Sequence, residues 1–281
     1  MVAVGEKIAC LSLDLEPDLW CPQRRTRLFE SDERLLAFSS LLKKHDVPLT
    51  IFTVMKYARS YADRLRALSE TLSTELAVHS YSHDTSNPAT ADEIARAIDE
   101  FGSLWNRRPQ GYRAPNCLID SDGLDRLAQA GFQYDSSLVP SLRLDGFGYN
   151  HLGIGTEPFN LRVQSGSLVE LPIACVGSLR LPIIFSYVKL LGFNLYRAAA
   201  NLFRLPNVLV TYLHPYDLYA DEIVGNIPGW KRYAHARNGT RGFELLGNFI
   251  ELLKARGYRF ALMGDVAEAI SLQDPIGRTA L

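Results

Sequence analysis

The 281-residue sequence lacks several features that would each have named a function class. It has four cysteines, Cys10, Cys21, Cys117 and Cys175, far apart and with no Cys-x-x-Cys pair, which excludes a thiolate metal site and a disulfide scaffold. Charge of one sign is not in excess: 30 Lys and Arg face 31 Asp and Glu, and no basic cluster is interleaved with aromatics. Nucleic acid is therefore excluded as a partner. No uninterrupted apolar run reaches the roughly 20 residues that span a bilayer. The N-terminus has neither the charged nor the apolar region of a leader, and Ile8–Leu15 already reads as a core strand, so the expected compartment is the cytoplasm. Repeats, low-complexity linkers and composition shifts are absent too. With Gly and Pro spread evenly, the expectation is a single domain over residues 1–281.

What is present begins with His79-Ser80-Tyr81-Ser82-His83, two imidazoles four residues apart. One helical turn would bring such a pair to one side, where both rings can close on a cation. The bland reading is two surface histidines in one pentapeptide. Company elsewhere weighs against it: Asp14 and Glu16 end an apolar run, Arg113-Ala114-Pro115 lies in a short loop, and His214 ends another apolar run. Side chains alternate along a strand, so residues 14 and 16 share a face and two carboxylates look into one cavity.

The periodicity predicts repeated βαβ units, hence an α/β fold. A helix is expected over 31–45 with Ser31 or Asp32 as N-cap, then a buried strand at Leu49–Val54. A helix around Ala62–Thr71 leads to a short strand, 75–78, that runs into His79. Helices at Ala91–Leu104 and Ser121–Gln129 bracket Gly111–Pro115, and Phe132–Asp135 follows. Each candidate group falls where a strand ends, the rim on which parallel barrels build sites. Residues 141–167, rich in Gly, Asn and Ser, read as a surface insertion. In it and beyond, His151 and His235 read as exposed, while Asp145 and Glu157 have no assigned role. Strands are expected at Ser167–Ile173, Val208–Leu213 and Tyr258–Leu262, a helix at Gly242–Ala255, and Asp265 as a cap of the last helix. A loop is expected at Asp221–Tyr233. The stretch 171–216 has no Asp or Glu, and within it 187–203 reads as one helix with Val188, Leu191, Leu195, Ala198 and Leu202 on its apolar side. Packing that side in the core is the first reading; contact of the 180–204 segment with a membrane surface is the second.

The ordered set Leu-Asp-Leu-Glu, His-Ser-x-x-His, Tyr-Arg-Ala-Pro, Tyr-Asp-Ser-Ser and Leu-His-Pro resembles the polysaccharide deacetylases, the NodB-homology family of carbohydrate esterases and amidases. Within it the likeness is to deacetylases of exopolysaccharide operons. The resemblance implies a distorted (β/α) barrel of seven or eight strands. It implies a metal held by Glu16, His79 and His83, with Asp14 as general base, Arg113 holding Asp14, His214 as general acid and Asp135 tuning His214. It places Pro115, Asn116 and Tyr216 at the substrate. Departures are Asp-Leu-Glu-Pro in the first motif, Asn116-Cys117 after the third, and Tyr216-Asp217 after His214-Pro215.

The implied cofactor is one divalent ion, zinc first, with cobalt, nickel, manganese and iron as the other candidates. The implied reaction is hydrolysis of an N-acyl, foremost N-acetyl, group from an amino sugar in a glycan or in a lipid- or nucleotide-linked precursor. A non-haem iron oxygenase has a related ligand set, but its acid lies two residues beyond the first His, unlike here. The alternatives that stay open are an amidohydrolase on a small cyclic amide, resembling allantoinase, and a silent glycan-binding module. Retention of Asp14, Arg113 and His214 argues against the module, since a binder has no need of an acid and a base.

Overall fold

The computed structural model describes residues 6–19, 21, 25–86, 88–141, 151–223, 225, 229, 232, 236–273 and 278–279. His235, Asp145 and much of the expected insertion and of the 221–233 loop lie outside the described residues.

The first strand sets the architecture. In β1 (Ile8–Leu15) every residue is buried, and the alternation of side chains divides it between two cores. Ala9, Leu11, Leu13 and Leu15 join the large cluster under the helices, with Leu35, Phe38 and Ile51. Ile8 and Cys10 face the interior of the sheet with Phe52, Tyr134, Val210 and Tyr212. Ser12 and Asp14 continue that interior face toward the C-terminal end of the strand.

Around β1 a curved sheet is built from β2 (Leu49–Thr53), β3 (Thr74–Val78), β4 (Gly111–Tyr112), β5 (Tyr134–Asp135), β6 (Phe159–Val163), β7 (Gly166–Glu170), a separate pair β8 (Cys175–Val176) and β9 (Leu181–Pro182), β10 (Val208–Leu213), β11 (Arg259–Phe260) and β12 (Arg278–Thr279). The main order is β10-β1-β2-β3-β4-β5-β7-β6-β12, with β11 beside β1. The seven strands from β10 to β7 are parallel, and only β6 runs against its neighbour β7. The ladder does not close among the described residues. A bridge between Ile173 and Val210 brings the segment after β7 to the opposite edge, and the result is a distorted, incomplete (β/α) barrel.

Helices α1 (Asp32–Lys44), α2 (Met55–Thr71), α3 (Ala91–Trp105), α4 (Ser121–Gln129), α5 (Phe185–Leu191), α6 (Phe193–Leu202), the short α7 (Ala220–Ile223), α8 (Gly242–Ala255) and α9 (Met263–Gln273) connect these strands. Ser31, Thr90 and Asp120 cap α1, α3 and α4 by accepting from the third amide on, as small polar residues do at helix starts. Among the described residues no helix is long and apolar enough to cross a membrane.

Three expectations are corrected. The region read as an insertion over 141–167 contains β6, whose Phe159–Val163 pairs antiparallel with β7; its alternation was hidden by the polar residues around it. The helix expected over 187–203 is two helices, broken at Gly192, where φ is +97°. The break turns α6 so that Tyr196, Ala199 and Ala200 are buried, and Leu191, Leu195 and Leu202 are left 39%, 47% and 78% exposed. Asp265 lies inside the first turn of α9 and is not its cap.

Candidate metal and acid-base site

At the C-terminal rim of the parallel strands the structure gathers Asp14, Glu16, His79, His83, Arg113 and His214. The histidine pair does not sit on a helical turn as expected. His79 follows β3, and the chain then makes a loop with positive φ at Ser80 (60°) and His83 (63°). Three neighbours fix that loop. The carbonyls of Ser80 and Tyr81 accept from the amides of Met55 and Lys56, the otherwise unpaired first donors of α2. Glu93, in the first turn of α3, accepts from the Tyr81 and Ser82 amides at 3.1 and 2.8 Å. The His83 amide donates to Ser80 Oγ at 3.0 Å. These bonds turn both rings toward Glu16.

Ligand atoms of Glu16, His79 and His83 all lie within 4.8 Å of one another. His79 Nδ1 donates to the Arg113 carbonyl at 2.8 Å, which leaves Nε2 bare and facing Glu16 Oε2 at 3.7 Å. A bond of this kind at the far ring nitrogen sets the tautomer of a metal-bound histidine. His83 Nε2 is 2.5 Å from the same oxygen yet has no aligned hydrogen bond, so it is a buried ring nitrogen without a proper partner. Two imidazoles and one carboxylate converging in this way fit a divalent cation of the zinc type, with open positions left over. Burial pushes the Glu16 carboxyl up, but the His83 charge and the closeness of both imidazoles outweigh it and hold it well below its ordinary value. For His83, burial works downward and Glu16 upward; Glu16 prevails.

Asp14 stands beside this cluster on the interior face of β1. Its Oδ1 accepts from Arg113 at 2.6 Å. Arg113 is fully buried, a costly state for a cation, and it is met on all sides. It donates to Ser12 Oγ at 2.8 Å, to the Ser136 carbonyl at 3.1 Å and to Ser136 Oγ at 2.9 Å, with its guanidinium 4.1 Å from the Phe52 ring centre. Asp14 is thus held as one end of a rigid ion pair.

His214 follows β10, opposite the pair, with Nε2 at 3.8 Å from Glu16 Oε1 and its ring stacked on Tyr216 at 4.6 Å. Sequence reasoning gave its partner as Asp135; the structure gives Asp217. Asp217 Oδ2 accepts from the His214 amide at 3.0 Å and lies 3.4 Å from Nδ1. Ser186 Oγ donates to the same carboxylate, and Lys189 Nζ is 3.3 Å from its Oδ1. Burial works against charge on His214, yet its interaction with the accepting Asp217 carboxylate and the charge of Glu16 raise it to about 9. Asp135 is committed elsewhere: it accepts from the Ser137 amide at 2.8 Å and hydroxyl at 2.7 Å, and that hydroxyl accepts from the Ala114 amide at 2.8 Å. It therefore braces the Ala114–Asn116 loop, where Pro115 opens a turn with Asn116 at φ +53°. His151, read as exposed, is buried, with Nδ1 3.4 Å from the Val139 amide. Glu157 accepts from the Asn207 and Val208 amides ahead of β10.

A family model described as polysaccharide deacetylase matches residues 28–134, a span that includes His79, His83 and Arg113 and leaves out Asp14, Glu16 and His214. A peptidoglycan deacetylase of Helicobacter pylori is 25% identical over 116 residues, 40% of this chain and 39% of that protein. Over residues 28–134 the chain carries a polysaccharide-deacetylase segment of the NodB type. Its curated relatives are matched over 39% and 20% of their own length, so only part of each is represented. The fold of the chain is similar to that of a Mycobacterium smegmatis protein classed with the polysaccharide deacetylases (TM-score 0.61, 19% identity, 97% of this chain and 93% of that one). It is also similar to PuuE allantoinase (TM-score 0.58, 19% identity, 97% and 93%).

Sequence reasoning missed Asp217, Ser186, Lys189 and Glu93. Asp217 had a signal, a carboxylate three residues after His214 in the same turn. Ser186 and Lys189 had a fainter one, the three-residue spacing that puts them on one face of a helix. Glu93 reads only as an acidic residue near a helix start, because its partners are backbone amides eleven and twelve residues earlier.

Proposed function

We propose that the deacetylase domain is a metal-dependent hydrolase that removes an N-acyl group, foremost N-acetyl, from an amino sugar in a glycan or in a lipid- or nucleotide-linked glycan precursor. The observation that carries this reading is the convergence of Glu16, His79 and His83, with ligand atoms within 4.8 Å of one another, with His214 Nε2 at 3.8 Å from Glu16 and Asp14 two residues before Glu16 at the end of β1. Glu16, His79 and His83 would hold the ion, zinc first. A divalent cation there supplies Lewis acidity and brings a water nucleophile within reach of neutral pH.

The chain's own residues would do the rest. Asp14, kept in place by Arg113, takes the proton from the attacking water. The backbone amide after Pro115, on the loop braced by Asp135 and Ser137, is the oxyanion donor. His214 protonates the nitrogen as the C–N bond breaks, because an amine anion is a very poor leaving group. Tyr216, stacked on His214, and Asn116 would border the sugar. Products are a free amino sugar and a short carboxylate.

A role at the inner membrane face, on the exopolysaccharide pathway suggested by the motif likeness, is the finer part of the proposal. It is supported by Leu191, Leu195 and Leu202 standing exposed along an acid-free stretch with Arg197 and Arg204. Co-sedimentation with anionic vesicles at low salt is the expected outcome; a chain that stays wholly in the supernatant removes the membrane part alone. The reaction is tested by amine release from N-acetylated sugar oligomers, nucleotide-linked and lipid-linked sugars, with a small cyclic amide in the same panel. Release from a sugar supports the proposal, and ring opening alone replaces it with the amidohydrolase reading.

A further inference from the structure

Lys189 is 1% exposed, and among the described residues its ammonium meets one carboxylate, that of Asp217, at 3.3 Å, without the alignment of a hydrogen bond. Burying a lysine is expensive, and a buried ion pair rarely exceeds the stability that packed apolar side chains of the same size would give. The pair therefore calls for a reason beyond stability. Its surroundings supply one. Lys189 and Ser186 are three residues apart on α5, and both address Asp217: Ser186 Oγ reaches Oδ1 at 2.9 Å and Oδ2 at 2.7 Å. The helix is itself anchored, since Asn238 Nδ2 donates to the Lys189 carbonyl at 2.8 Å. Asp217 passes the constraint on, holding both the His214 amide and the Nδ1 side of its ring.

We propose that Lys189 is a positioning residue for proton transfer: its ammonium, with Ser186, fixes the Asp217 carboxylate so that His214 keeps its Nδ1 toward Asp217 and presents Nε2 to the site. This rests on the reading of His214 as the acid. The proton that leaves Nε2 goes to the departing nitrogen as the C–N bond breaks, and the proton on Nδ1 stays on the ring, facing Asp217 Oδ2 at 3.4 Å with Ser186 Oγ at the same distance. An unfixed Asp217 would let the ring rotate or change tautomer. His214 would then spend part of its time with the wrong nitrogen facing Glu16.

The test compares Lys189→Met, Lys189→Arg, Asp217→Asn and the Lys189→Met/Asp217→Asn double variant in the full zinc-loaded chain. Each is assayed on an N-acetylglucosamine tetramer, whose nitrogen must be protonated to leave, and on 4-nitrophenyl acetate, whose phenolate leaves unaided. The expected result for Lys189→Met is a loss of about 10-fold to 100-fold in kcat on the amide, with KM kept and ester turnover little changed. Lys189→Arg restores most of the amide activity, and the double variant is no worse than Asp217→Asn alone. Equal losses on both substrates, or additive losses in the double variant, would overturn the proposal in favour of a structural lysine. Imidazole ¹⁵N spectra of the metal-free chain separate this from failure of the hydrolase reading. Recorded at a pH high enough for the ring to be neutral, they are expected to show the Nδ1–H form of His214 in the wild type and a tautomer mixture in Lys189→Met. An unchanged His214 spectrum in that variant overturns the proposal whatever the wild type hydrolyses.

Discussion

At the scale of single residues, the roles divide by what each side chain touches. Asp14 is bound to Arg113 and stands outside the Glu16, His79, His83 cluster, so Asp14→Asn is expected to keep the metal and lose about 10²-fold to 10⁴-fold in turnover. His79→Ala is expected to lose both metal and turnover. Metal analysis and kcat of the two variants check this, and equal metal loss in both would make the division of roles wrong. His214 gives a pH prediction. As an acid it must carry its proton, so turnover falls as pH rises through its pKa, which Asp217 and Glu16 raise to about 9. A cation that neutralises Glu16 removes one of those supports, so the alkaline limb in the loaded enzyme lies below that value. Asp217→Asn moves the limb further toward acid; a pH–kcat profile that does not move would separate Asp217 from the acid.

At the scale of elements, the deciding structure is the loop between β3 and α3. Its positive-φ residues are held open by the Glu93 carboxylate and by the first amides of α2, so the two histidines owe their geometry to helices that bind no ligand. Glu93→Ala is expected to weaken metal affinity about 10-fold to 100-fold without touching a ligand, read by competition with a chromogenic chelator. A second buried carboxyl, Glu170 at the end of β7, illustrates the opposite sign. Burial, and then the neighbouring Asp135 charge, push it well above its ordinary 4.5. The folded state then binds a proton the unfolded state has released, so stability falls as pH rises from about 4.5 through the raised value. Glu170→Gln, which cannot ionise, should flatten that fall in denaturant melts taken across the range; an unchanged slope would assign it to another group.

These elements also mark what the sequence could tell. β1, β10, α4 and α8 are legible to the residue, because long apolar runs or a 3.6-residue period bounded by caps leave one reading. Asp14, Glu16, His79 and His214 are legible because they stand at or just past the ends of such strands, and His83 and Arg113 through the short motifs that accompany them. β6 and the break at Gly192 are not, since a five-residue strand and a glycine within an apolar helix have no local signature strong enough to displace the alternative. The exchange of Asp135 for Asp217 beside His214 is likewise invisible to spacing. It depends on α5 crossing under β10, a tertiary fact.

At the scale of the whole molecule, seven parallel strands bring four distant stretches of chain to one rim, and Arg113 ties its own stretch to β1 through Ser12 and Asp14, to Ser136, and by its carbonyl to His79. The metal is expected to be a folding ligand as well as a reagent: a cation that binds only the folded chain stabilises it in proportion to the logarithm of its free concentration. Heating with and without zinc should show a higher Tm in the loaded form and none of that gain in His79→Ala.

The most direct measurement is metal content of the purified chain taken together with amine release from N-acetylated sugars, before chelation, after it and after zinc is returned. The account predicts about one metal per chain, release that disappears with the metal and returns with it. A chain that holds no metal when zinc is offered, or that releases amine equally well without it, would contradict the assignment of Glu16, His79 and His83 and the hydrolase built on them.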